Sequence, residues 1–154
     1  MSTPELRGIR ILAGMSDTQL ASLGKYGEVV EYAPSESIIE QGEPSDGLFL
    51  VLEGKVGAYV TEPHGNEVHL RTIETGGHFG EIGLLEAGRR TATVRALTQS
   101  RLLSIDKKAF QELLKAPELA VPLLLGLSRS LAIRLTDLTN RVATLWALKD
   151  TWDT

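Results

Sequence analysis

From Glu28 to Asp106 the chain is a series of short apolar runs separated by turn residues. This pattern restricts the fold more than any other feature. Runs of this length bounded by Gly, Pro, Asn, Asp and Ser read as strands. The candidates are residues 29–32, 37–40, 48–52, 56–60, 68–73, 91–97 and 102–105. Ala33-Pro34-Ser35-Glu36 and Pro63-His64-Gly65-Asn66 read as turns. Glu53-Gly54-Lys55 gives a hairpin signal between the third and fourth runs. At least seven strands at this spacing predict an antiparallel sandwich or jelly-roll barrel.

Both flanks are helical in pattern. Residues 4–26 read as short helices, and Ser16-Asp17-Thr18-Gln19 has capping-box spacing, with Leu20 and Leu23 facing the body of the domain. In the last third, residues 107–115 form a short helix and Pro117 opens the next one. Pro122 is either absorbed near that start or marks a break. From Leu124, the positions Leu131, Leu135, Leu138, Val142 and Leu145 keep a heptad stripe in which Ser128 fills the missing step. The stripe either pairs with a second chain or packs on its own barrel, and its strict period favours a homodimer. The expected class is therefore α+β: an antiparallel β jelly-roll barrel flanked by N-terminal helices and a long C-terminal helix. One domain over 1–154 is expected, divided into 1–27, 28–106 and 107–154.

Chemistry concentrates in residues 78–96. A strand-like approach ends at Gly80, one helical turn runs over 81–86, and a β-branched run resumes at Thr91. A helix start offers backbone N–H groups to an anion. Gly80 and Gly83 allow close approach of the backbone. Arg90 can grip two phosphate oxygens with its planar fork. An ionised Glu81 only accepts hydrogen bonds and therefore suits a sugar hydroxyl. The plainer alternative is that Glu81 and Arg90 pair with each other across the turn, with Arg89 a solvent-facing neighbour.

The stretch from Phe79 to Ala96 resembles the phosphate-binding cassette of cyclic nucleotide-binding domains, which runs Phe-Gly-Glu-Ile-Gly-Leu-Leu, an insert, then Arg-Thr-Ala-Thr-Val-Arg-Ala here. Residues 39–49 and 52–56 resemble that family's first hairpins, with Leu48-Phe49-Leu50 where Tyr-Phe-Ile is usual. The resemblance implies that Glu81 accepts from the ribose 2′-hydroxyl and that Arg90 holds the cyclic phosphate. Gly80, Ile82, Gly83 and Ala92 would add backbone contacts. It also implies a dimer seam on the long helix.

Base choice falls to other groups. Thr91 offers a hydroxyl that donates and accepts. A Thr-Ser pair that contacts adenine in some family members falls here on Leu138-Thr139, and Arg134 lies about one turn earlier. For Arg134 and Thr139 the competing reading is a solvated helix flank. Trp146 and Trp152 are read as interface or tail residues. The expected ligand is cAMP, with cGMP as the alternative, and no cofactor or metal is expected.

The remaining composition excludes other classes. A net charge of −4 argues against electrostatic binding of nucleic acid. The absence of Cys excludes disulfides and Cys-based zinc sites. No apolar N-terminal segment is visible, and an apolar run such as residues 123–125 is far too short for a bilayer. A soluble cytoplasmic protein without a membrane role is expected. His64, His69 and His78 lack the His-x-His of a cupin-like metal enzyme. With no catalytic motif in view, a regulatory binding module rather than an enzyme is expected. No helix-turn-helix is expected after the long helix, so direct DNA binding is not expected, and the effector would be a separate protein. A domain that has lost its ligand and kept only the dimer seam is the remaining alternative, against which Glu81 and Arg90 speak.

Overall fold

The computed structural model describes residues 3–44, 47–86 and 90–152. Its elements in chain order are α1 (Thr3–Arg7), a 3-10 turn (Arg10–Leu12), α2 (Asp17–Gly24), β1 (Glu28–Tyr32), β2 (Ser37–Ile39), β3 (Gly47–Glu53), β4 (Lys55–Thr61), β5 (Glu67–Glu74), β6 (His78–Phe79), α3 (Glu81–Glu86), β7 (Thr93–Ala96), β8 (Ser100–Asp106), α4 (Lys107–Leu113) and α5 (Pro117–Trp152). The strands form two four-stranded antiparallel sheets, in the orders β1-β8-β3-β6 and β2-β7-β4-β5. This is the expected jelly-roll arrangement with helices at both chain ends.

The core follows from strand alternation. β3 is buried from Gly47 to Leu52 because both of its faces are covered. Leu48, Leu50 and Leu52 point toward the helices, where they meet Leu6, Leu12, Leu20, Leu23, Phe110 and Leu123. Phe49 and Val51 point the other way, into the space between the sheets with Val56, Ile73 and Val94. Burying a leucine fully stabilises by about 1.5–3 kcal/mol, so this layer is what seats the helices on the first sheet.

One turn differs from the sequence expectation. Residues 53–55 do not close a hairpin. Both edges of β3 are already taken by β8 and β6, while β4 pairs with β5 and β7. Gly54, at φ 111°, turns the chain from one sheet to the other. The turn after β4 does close a hairpin, with Gly65 donating to the Glu62 carbonyl. The strand after the cassette starts at Thr93 rather than Thr91.

The capping box forms as expected. The Ser16 hydroxyl accepts from Gln19 N–H, and the Gln19 side chain accepts from Ser16 N–H. Gln19 also resolves the Pro122 question. A proline cannot donate to the carbonyl four residues back, and that carbonyl, on Glu118, accepts instead from Gln19 Nε2 at 2.8 Å. The helix therefore continues through Pro122, supported from α2.

α5 runs for 36 residues and changes character along its length. Leu119, Ala120, Leu123 and Leu127 are buried in the core, whereas Leu135, Leu138, Val142 and Leu145 are exposed. The later part of the heptad stripe is thus not covered by its own barrel. Trp146 and Trp152 are exposed as well, with Lys149 over the Trp146 ring. Although no long unbroken apolar run exists, Ala, Gly, Ser and Thr between the leucines leave α5 long and apolar enough, by length and composition alone, to cross a membrane.

Candidate functional site

The site is built on the crossing from β6 into α3. Phe79 anchors its start by stacking on Phe49, with ring centroids 5.0 Å apart. The next residue must turn sharply, and Gly80 does so at φ 94°. A Cβ there would lie 2.5 Å from the Gly47 carbonyl oxygen and 2.9 Å from Arg90 Nη1, so both conformation and space demand glycine. α3 follows at once, and its first-turn N–H groups have no intrahelical carbonyl partner.

Arg90 is buried at 6% exposure. Its Nη1 donates to the Gly80 carbonyl at 3.1 Å and its Nη2 to the Gly47 carbonyl at 3.0 Å. The backbone on either side is pinned to the loop after β2, with Arg90 N–H donating to the Glu43 carbonyl and Gly42 N–H to the Arg90 carbonyl. The guanidinium is therefore oriented by carbonyls rather than by Glu81, and the plain Glu81–Arg90 pair is not what forms.

Glu81 is 1% exposed. Its Oε1 accepts from Arg134 Nη1 at 2.5 Å and lies 3.6 Å from His78 Nε2. The second distance is an electrostatic contact rather than a formed hydrogen bond, and Nε2 has no other partner. Burial by itself would raise the Glu81 carboxyl. The His78 imidazole, the Arg134 charge and the residue's own backbone N–H outweigh it and hold the group down at about 2. The carboxylate is thus kept ionised and able only to accept.

Gly80, Glu81, Ile82, Gly83, Arg90, Thr91, Ala92 and Arg134 line one cavity of about 170 Å³. Thr139 does not join them. It is exposed, and its hydroxyl donates to the Leu135 carbonyl of its own helix rather than lining the cavity. Arg134, in contrast, is no solvated flank, because its bond to Glu81 ties α5 to the cassette. Arg89 lies outside the described residues.

Two participants were missed by sequence reasoning. His78 sits three residues before Glu81 and is buried beside it. Arg71 lies two residues before the buried Ile73 on β5, and it lines the cavity with it. A charged residue on the inward face of an alternating strand was the available signal for Arg71. The three histidines do not converge: His64 lies in the β4–β5 turn and His69 stacks on Tyr59. Among the described residues no group of three or more His, Cys, Asp or Glu is placed to hold a metal. The cavity therefore presents a fixed guanidinium and an ionised carboxylate, the chemistry for an anion beside a hydroxyl.

Comparison with known proteins places the chain. The family model for the cyclic nucleotide-binding domain matches residues 29–116. The CRP-like cAMP-activated global transcriptional regulator of Mycobacterium tuberculosis is 30% identical over 136 residues, 88% of this chain and 59% of that protein. Isozyme 1 of the cGMP-dependent protein kinase of Drosophila melanogaster is 33% identical over 71% of this chain and 15% of its own length. Among solved structures, the N-terminal domain of a transcriptional regulator from Streptomyces coelicolor superposes with a TM-score of 0.74 at 34% identity, covering 84% of this chain and 94% of that one. The chain thus spans little more than half of the first of these curated relatives and a small part of the second.

Proposed function

The chain belongs to the cyclic nucleotide-binding domain family, and on that premise we propose that the cavity at Glu81 and Arg90 binds cAMP and reports it through α5. The observation that carries this reading is the buried Arg90 guanidinium, aimed by two backbone carbonyls into the same cavity as Glu81. Arg90 takes the cyclic phosphate, and Glu81, already ionised, accepts from the ribose 2′-hydroxyl. Gly80, Ile82, Gly83 and Ala92 supply backbone contacts, and Thr91, next to Arg90 in the lining, offers its hydroxyl to the base. The adenine preference is supported by the cAMP-activated relative, which matches along 88% of this chain, against 71% for the cGMP-dependent kinase.

The output is a shift of α5. Arg134 of this helix is bonded to Glu81, so a hydroxyl arriving at Glu81 competes for the same oxygen. This makes the site and the helix two ends of one equilibrium, provided the nucleotide binds the two arrangements unequally. The exposed heptad leucines of α5 form the seam of a homodimer, which carries the shift to a second copy. The module performs no chemistry of its own.

Calorimetric titration with cAMP and cGMP, on the wild type and on Arg90→Ala, tests the proposal. Loss of a bidentate phosphate partner is expected to weaken binding by on the order of 2–5 kcal/mol. The wild type is expected to bind cAMP more tightly than cGMP. Equal binding by Arg90→Ala would remove the site from this cavity.

A further inference from the structure

A second and larger cavity, about 810 Å³, opens between the 3-10 turn, the end of β5 and the first half of α5. Four guanidinium groups line it, from Arg10, Arg71, Arg129 and Arg134, in a chain whose net charge is −4. The one carboxylate in the lining, Glu74, already faces Lys55 at 3.6 Å, and Arg134 is held by Glu81. Among the described residues the other three arginine side chains have no acceptor: no hydrogen bond or ion pair joins the guanidinium of Arg10, Arg71 or Arg129 to another described residue. Arg71 is half-buried, and burial and then the Arg134 charge push its pKa down against the weaker pull of Glu81.

Three like charges without acceptors repel one another, and at half-buried Arg71 burial removes water that would screen the charge. Such a cluster is stabilised by an anion with several oxygens, and guanidinium forks match phosphate geometry. Leu125 and Ile133 add apolar surface to the lining. We propose that this cavity is a second anion site, adjoining the one at Arg90 and sharing Arg71 and Arg134 with it, that takes a phosphorylated small molecule carrying at least two negative charges. Arg10 and Arg129 hold its outer edge and Arg71 its inner end.

Inorganic pyrophosphate is the probe, titrated at fixed ionic strength into the wild type, Arg90→Ala, and the double variant Arg10→Ala/Arg129→Ala. Both replaced arginines are exposed, so the double variant is expected to fold. Expected are pyrophosphate binding of similar strength in the wild type and Arg90→Ala, and at least about tenfold weaker binding in the double variant. Affinity for cAMP is expected to be unchanged in the double variant. The proposal is overturned if pyrophosphate fails to bind at millimolar concentration, if binding survives in the double variant, or if it is lost with Arg90→Ala. The readings fail separately, because a wild type that ignores cAMP yet binds pyrophosphate through Arg10 and Arg129 would remove only the cyclic nucleotide assignment.

Discussion

Glu81 concentrates the residue-scale physics of this protein. A carboxylate at 1% exposure survives ionised only because Arg134 and His78 face it. Its folded pKa of about 2 lies below the ordinary 4.5. Its contribution is therefore fully present above pH 4.5 and is lost as the pH falls through about 2. Glu81→Gln removes that contribution. Denaturant unfolding should show the variant destabilised at pH 6, with the gap to wild type closing by roughly 2–3 kcal/mol as the pH approaches 2. A gap that stays constant with pH would mean that the carboxylate does not titrate in this range.

At the scale of elements, the joint between α5 and the 3-10 turn decides where Arg134 stands. Gly126 faces the Ile11 backbone so closely that a Cβ would sit 1.9 Å from the Ile11 carbonyl oxygen. In an unconstrained helix Gly→Ala is worth about 1 kcal/mol of stabilisation. Here overpacking against backbone opposes it and costs typically 1–3 kcal/mol. The expected sign for Gly126→Ala is therefore destabilisation, read by thermal unfolding, together with a change in cyclic nucleotide affinity as the helix lifts from its seat. A stabilised variant would show that the turn yields easily. Gln19 of α2 makes a comparable joint nearer the start of α5, where it replaces the hydrogen bond that Pro122 cannot make.

At the scale of the whole molecule, the second half of α5 leaves its apolar stripe exposed. Leu135 and Leu145 are each 65% exposed, and Leu138 is 59% exposed. Together with Val142 they continue the stripe begun at Leu124 and Leu131, which are only half-buried, a pattern that suits a helix partner. Leu138→Glu/Leu145→Glu is expected to convert a dimer to a monomer in sedimentation equilibrium. The isolated fold should survive, since neither side chain contributes to the buried core. An unchanged molecular mass would place any self-association elsewhere on the surface.

The sequence by itself determined the short strands, the one-turn α3, the capping box at Ser16 and the heptad of α5, because backbone preference and side-chain period act within a few residues. It also carried most of the cavity lining, since Gly80, Glu81, Ile82, Gly83, Arg90, Thr91 and Ala92 lie within one contiguous stretch. Only the tertiary structure decided that β3 and β4 part into different sheets, that Arg134 meets Glu81 across 53 positions, and that Arg71 and His78 join the site while Thr139 does not. Those outcomes depend on which edges and faces remain open once the core has packed. Strand edges are filled by whichever distant segment buries its apolar face best, and a charged side chain then takes the partner that this packing brings within reach.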